Sequence, residues 1–163
     1  MDLQSEKMLS EAFELCEDGN YLEAMKLYAQ VLKKDPKNIH ALIDKAVTLQ
    51  NIGKIKQAIT MYDKALKIDP KNLDALVNKG SALHTIEKYD EAISCYDAAI
   101  QIDKKCAMAI AYKGLALGEL DNLQGAIEHF KKALAIDEDY DLARISKKMA
   151  QDLLKGYKKT RKH

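Results

Sequence analysis

The sequence has 163 residues, enough for one domain with a sizeable core, and its 47% hydrophobic and 31% charged residues exclude a disordered chain. Two prolines and seven glycines are too few for a turn-rich β fold. No stretch approaches the ~20 apolar residues of a membrane span, and the acidic N-terminus lacks the basic start and apolar block of a secretory signal. Cys16, Cys95 and Cys106 are odd in number with no CxxC spacing, which predicts reduced thiols and a cytoplasmic protein.

The first apolar stripe, Ala12 and Leu15, predicts a helix ending at Gly19-Asn20. A second helix follows, with Ala24, Tyr28, Val31 and Leu32 on one face, closing at Asp35-Pro36. Asn38 then caps the next helix, whose stripe is Leu42, Ala46 and Leu49. After Gly53-Lys54 come Ala58, Tyr62, Ala65 and Leu66, then Asp69-Pro70 and the cap Asn72. The third round has Gly80 and Leu83, a break at Glu87-Lys88, then Ala92, Tyr96, Ala99 and Ile100. The fourth has Gly114 and Leu117, a break at Asp121-Asn122, then Ala126, Phe130, Ala133 and Leu134. Six columns stay in phase through all four rounds, Ala24 for instance returning as Ala58, Ala92 and Ala126. The small residues at 12, 46, 80 and 114 let two helices approach, and the aromatic fills the gap between them. A lone helical pair could not cover its own apolar face, so neighbouring pairs must stack.

Beyond Tyr140 the repeat is expected to stop while a stripe of Leu142, Ile145, Met149 and Leu153 continues, which predicts a capping helix over about 141–156. Residues 157–163 form a basic tail.

These residues resemble the tetratricopeptide repeat family over roughly residues 5–140. The resemblance implies an all-α, right-handed superhelical solenoid of four 34-residue helix-turn-helix repeats plus a C-terminal capping helix. Residues 1–157 would be a single solenoid, with repeats at about 5–38, 39–72, 73–106 and 107–140. Two departures stand out. Met8, Leu42, Leu76 and Ile110 replace the family's early Trp, and Lys104 and Glu138 replace its closing Pro, which predicts looser final turns.

In this family the first helix of each pair, helix A, lines the concave side. Helical geometry then places Leu9, Phe13, Ile43, Val47, Asn51, Asn78, Ser81, His84 and Tyr112 in the partner-binding groove. The lining is mixed, with an apolar band and almost no positive charge. It suits an extended segment or amphipathic helix with apolar anchors. Family members that bind chaperone C-termini use Lys and Asn on helix A; only Asn78 matches, so a chaperone tail is disfavoured.

No catalytic constellation emerges. His40, His84, His129 and His163 share no ligand spacing, the glycines are isolated, and neither metal nor cofactor is expected. The expected function is non-enzymatic: a protein-interaction module or scaffold. Charge offers two alternatives. Residues 144–163 carry eight Lys or Arg against Asp152, whereas residues 1–23 hold seven acids against Lys7. The basic tail, with Lys155, Lys158, Lys159, Arg161 and Lys162, could bind nucleic acid or another acidic partner, though no aromatics interleave with it. Alternatively, the acidic and basic ends could pair head to tail between copies.

Overall fold

In the computed structural model, which describes residues 2–160, every regular element is an α-helix. The order is α1 (Leu3–Glu17), α2 (Tyr21–Lys34), α3 (Ile39–Asn51), α4 (Ile55–Ile68), α5 (Leu73–Thr85), α6 (Tyr89–Ile102), α7 (Ala107–Glu119), α8 (Leu123–Ile136) and α9 (Asp141–Thr160). The odd-numbered helices are the A helices of successive repeats, and the even-numbered ones their B partners.

The turn inside each repeat is a Schellman stop. The N–H groups of Asn20, Lys54, Lys88 and Asn122 donate to the carbonyls of Leu15, Leu49, Leu83 and Leu117 at 2.7–3.0 Å. This closure needs a left-handed residue just before it. Gly19 and Gly53 supply it at φ 76° and 77°, and Glu87 and Asp121 are forced into it at φ 62° and 60°.

Between repeats, Asp35, Asp69, Asp103 and Asp137 each bend the chain. Their Oδ1 atoms accept from the N–H groups of Lys37, Lys71, Lys105 and Asp139 at 2.8–3.2 Å. Asn38 and Asn72 then cap α3 and α5, their Oδ1 atoms accepting from Ala41 at 3.0 Å and Ala75 at 2.9 Å. Cys106 occupies the same position before α7 and makes no side-chain cap. The later turns therefore keep their Asx bond without Pro; what α7 lacks is the cap.

The helices form two compact units, Met1–Ala82 and Leu83–His163. In the first, one core gathers Leu9, Ala12, Ala24, Tyr28, Val31 and Ala41, and a second gathers Leu42, Ala46, Leu49, Ala58, Tyr62, Ala65, Ala75 and Ala82. Asp63 and Lys79, 2.7 Å apart, add an ion pair between α4 and α5. In the second unit, Ile110, Leu123, Ala126, Ile127, Phe130, Ala133, Ala143 and Ala150 form the core, and Lys113 reaches Asp97 at 2.5 Å.

The register does not stop at Tyr140. Ala41, Ala75, Ala109 and Ala143 recur once per repeat and are wholly buried, as are Ala82, Ala116 and nearly all of Ala150 two turns further along the same face. Where their contacts are defined, these alanines join the core of the preceding helix pair, so they form the seam along which repeats stack. α9 is thus a fifth A helix. It keeps the seam alanines but carries Arg144, Lys148 and Gln151 where other A helices turn apolar residues toward their own B partner.

This corrects the expected capping stripe. Ile145, Met149 and Leu153 are 57%, 61% and 53% exposed, while α9 buries Ala143 and Ala150 and half-buries Leu154. The helix also runs to Thr160 rather than ending near 156.

Candidate partner-binding surface

The expected lining residues divide by depth. Leu9 and Ile43 are each only 8% exposed and belong to the two cores of the first unit, so they back the A-helix surface rather than line it. Val47 is half-buried against the core of α3 and α4. Phe13, by contrast, is 63% exposed on α1, and Asn51 is exposed at the end of α3. Asn78 and Ser81 are half-buried on α5.

A polar ladder ties these A helices to their neighbours. Cys16 Sγ lies 3.3 Å from Thr48 Oγ1 and 3.7 Å from the Tyr28 hydroxyl. The Thr48 hydroxyl donates to the Asp44 carbonyl at 2.9 Å, which leaves its oxygen to accept from the Cys16 thiol. One repeat later, Tyr62 donates to Gln50 Oε1 at 3.2 Å, and Gln50 Nε2 donates to Ser81 Oγ at 3.3 Å. Cys16 and Gln50 hold equivalent positions in successive repeats, so a polar side chain there answers the hydroxyl of the buried tyrosine. Burial pushes both tyrosine hydroxyls well above the usual range. Desolvation also raises the pKa of Asp44, with Asp74 adding to the effect and His40 opposing it.

In the second unit the equivalent positions are His84 and Gly118. His84 packs edge-on to Tyr89 with ring centroids 5.1 Å apart, and its Nε2 is buried without a hydrogen bond. Tyr112 meets Tyr96 in a T-shaped contact at 5.9 Å. In the last repeat Phe130 has no hydroxyl, and Gly118 correspondingly has no side chain. The space between α7 and α9 opens there into a cleft of about 240 Å³. Leu115, Gly118, Leu123, Phe130, Met149 and Leu153 are among its walls, with Glu119 and Ser146 as polar groups.

Residues 6–112 match the family described as Psidin, N-terminal TPR repeats region, and residues 86–141 match the family described as Tetratricopeptide repeat. The chain belongs to the tetratricopeptide repeat family. The MamA protein crystal structure shares 26% identity with this tetratricopeptide repeat chain, with a TM-score of 0.80 over 93% of this chain and 83% of that one. PilF of Pseudomonas aeruginosa superposes with a TM-score of 0.85 at 22% identity, over 97% of this chain and 72% of PilF. The first TPR of Spaghetti (RPAP3), bound to the HSP90 peptide SRMEEVD, superposes with a TM-score of 0.70 at 23% identity. That match covers 74% of this chain and 95% of the RPAP3 domain. No curated protein matches the chain.

Met149 and Leu153 are absent from the expected lining, although the repeat itself marks Met149. Stepping one repeat at a time from Phe13 through Val47, Ser81 and Leu115 lands on it, and Leu153 follows one turn later. Of the basic tail, Lys155 is exposed on α9, Lys158 and Lys159 lie in its last turn, and Arg161 and Lys162 fall outside the described residues. Among the described residues no helix is long and apolar enough to cross a membrane, and no three His, Cys, Asp or Glu side chains cluster as metal ligands.

Proposed function

We propose that this tetratricopeptide repeat protein is a non-catalytic interaction module whose A-helix surface holds a segment of a protein partner. The observation that carries this reading is the open cleft between α7 and α9. It is mostly apolar, has few polar groups at its edge, and can seat one large side chain of a ligand lying across it. The first unit has a surface of its own on its A helices, of mixed character, with the exposed Phe13 on α1 and the Gln50–Ser81 pair.

The RPAP3 domain's bound peptide is acidic. Here the first unit presents Asp44, already disfavoured as an anion, with Asp74 close enough to raise it further. An acidic tail would meet repulsion there, so the preferred ligand is a segment with apolar anchors.

Selection from a displayed peptide library tests this directly. The enriched sequences should carry a large apolar residue, and Leu153→Glu together with Met149→Glu should weaken their binding at least about tenfold, given that a central apolar anchor is worth ~2 kcal/mol. Phe13→Ala should weaken it less. Enrichment of acidic C-terminal sequences, or equal binding by the folded Met149→Glu/Leu153→Glu protein, would refute the assignment.

A further inference from the structure

α1 and α9 leave complementary faces uncovered. Every later A helix with a defined seam buries small residues against the preceding pair, such as Ala41, Ala75 and Ala143. In α1 the equivalent seam positions are Lys7 and Glu14, and the face they define also carries Glu11 and Asp18, all exposed. On α9, the face that other A helices turn toward their B partner carries Arg144, Lys148, Gln151 and Lys155. Among the described residues, α9 packs only on α7 and α8, and no helix covers that face.

We infer that this basic face of α9 docks the acidic face of α1 from a second copy of the chain. The two faces match in length, since Lys7 to Asp18 and Arg144 to Lys155 each span about 16 Å of helix. They match in charge as well, three acids against three bases, with Lys7 the one like-charged member. Neither Glu11 nor Glu14 enters an ion pair within the described residues. Within the described residues, Arg144 and Lys155 pair with Asp141 and Asp152 one turn away on their own helix, at exposed positions where such pairs hold weakly. Beside the bases runs the apolar edge of Ile145, exposed at the margin of the charged face. The contact is heterologous: each copy offers a different face to each neighbour. It lies on the side of α9 away from the α7–α9 cleft and does not depend on the peptide reading.

Charge reversal tests the docking, with size-exclusion chromatography and light scattering on the full chain as the readout. The wild-type protein should associate as its concentration rises and dissociate as salt is added. Glu11→Lys/Glu14→Lys and Arg144→Glu/Lys148→Glu should each lower the association constant at least about tenfold, as like charges then face one another. All four positions are exposed, and circular dichroism verifies that both variants keep their helices. Mixing the two variants should restore association, and so should the protein carrying all four changes. A wild-type protein that stays monomeric at all concentrations overturns the proposal. So does association that survives Glu11→Lys/Glu14→Lys, or a mixture that remains monomeric. Anionic phosphatidylserine vesicles bound through Arg144 and Lys148, with no dependence on Glu11 and Glu14 and no self-association, would assign the basic face to membranes instead.

Discussion

Phe130 fills the space in which a side chain at residue 114 would begin. A Cβ placed on Gly114 would stand 2.8 Å from Phe130 Cε1, closer than real carbon contacts allow, so the buried Phe130 ring would have to shift out of its packing. Gly118, one turn later on the same helix, is different: its nearest neighbour would be Ala126 Cβ at 3.9 Å, an ordinary contact. The two glycines therefore predict opposite signs. Gly114→Ala should destabilise the protein by about 1–2 kcal/mol, an overpacking penalty larger than the helix-propensity gain. Gly118→Ala should stabilise it by about 0.5–1 kcal/mol. Urea unfolding of both variants reads the difference, and a loss of stability in Gly118→Ala would contradict the packing argument.

Glu87 sits in the left-handed conformation that Gly53 adopts freely, and its Cβ makes that conformation unfavourable. Glu87→Gly should therefore raise stability by about 1 kcal/mol, the usual penalty of a left-handed non-glycine residue less the extra entropy of glycine in the unfolded chain. Asp121→Gly should gain less, because aspartate tolerates this region better. Unchanged or lower urea midpoints in Glu87→Gly would show that its turn is not strained.

Cys106 leaves α7 without a side-chain cap at a backbone geometry, φ −69° and ψ 85°, close to that of Asn38 at φ −67° and ψ 101°. Cys106→Asn should supply the missing bond to the N–H three residues on and stabilise the chain by about 1 kcal/mol. Thermal denaturation measures it; protection of the α7 amides from hydrogen exchange localises it. A gain spread evenly over the chain, or none, would argue against capping as the cause.

The fold is legible because its determinants are local and repeat. Gly19, Gly53 and the Asp-Pro steps fix the helix ends, and the Ala–aromatic–Ala columns fix the pairing within each repeat. The seam column is harder to see, since alanines such as Ala41 and Ala75 look ordinary beside the Tyr28 and Tyr62 columns. Without it, the apolar stripe alone predicts that α9 buries its largest side chains. With small residues at the seam, Ala143 and Ala150 do the burying, and Ile145, Met149 and Leu153 are left outside. The candidate surface is only partly legible for a related reason. Period alone places Leu9 and Phe13 on neighbouring parts of one helix, but whether a side chain is covered depends on the next helix, and Leu9 is buried where Phe13 is not. The α7–α9 cleft cannot be read from any one repeat, because it arises where Gly118 and Phe130 both lack the polar groups that fill the equivalent space near Gln50 and Tyr62.

Asp44 makes the stability of the first unit depend on pH. Desolvation lifts its carboxyl above the ordinary value of 3.8, so the fold binds this proton more tightly than the unfolded chain does. The sign follows from that difference. Asp44 favours folding while it is protonated, and that contribution is lost as pH rises through its folded value. At neutral pH the charged carboxylate opposes the fold. Asp44→Asn keeps the size and removes the charge, while the Thr48 hydroxyl bond survives because it goes to the backbone carbonyl. The variant should accordingly melt at a higher temperature than the wild type near pH 7, and the two curves should converge as pH falls below 3.8. Thermal melts followed by circular dichroism across pH 3 to 7 give both branches. A gain that is the same at every pH would point to a packing effect, and a loss at pH 7 would mean that the Asp44 carboxylate contributes a favourable contact outweighing its desolvation.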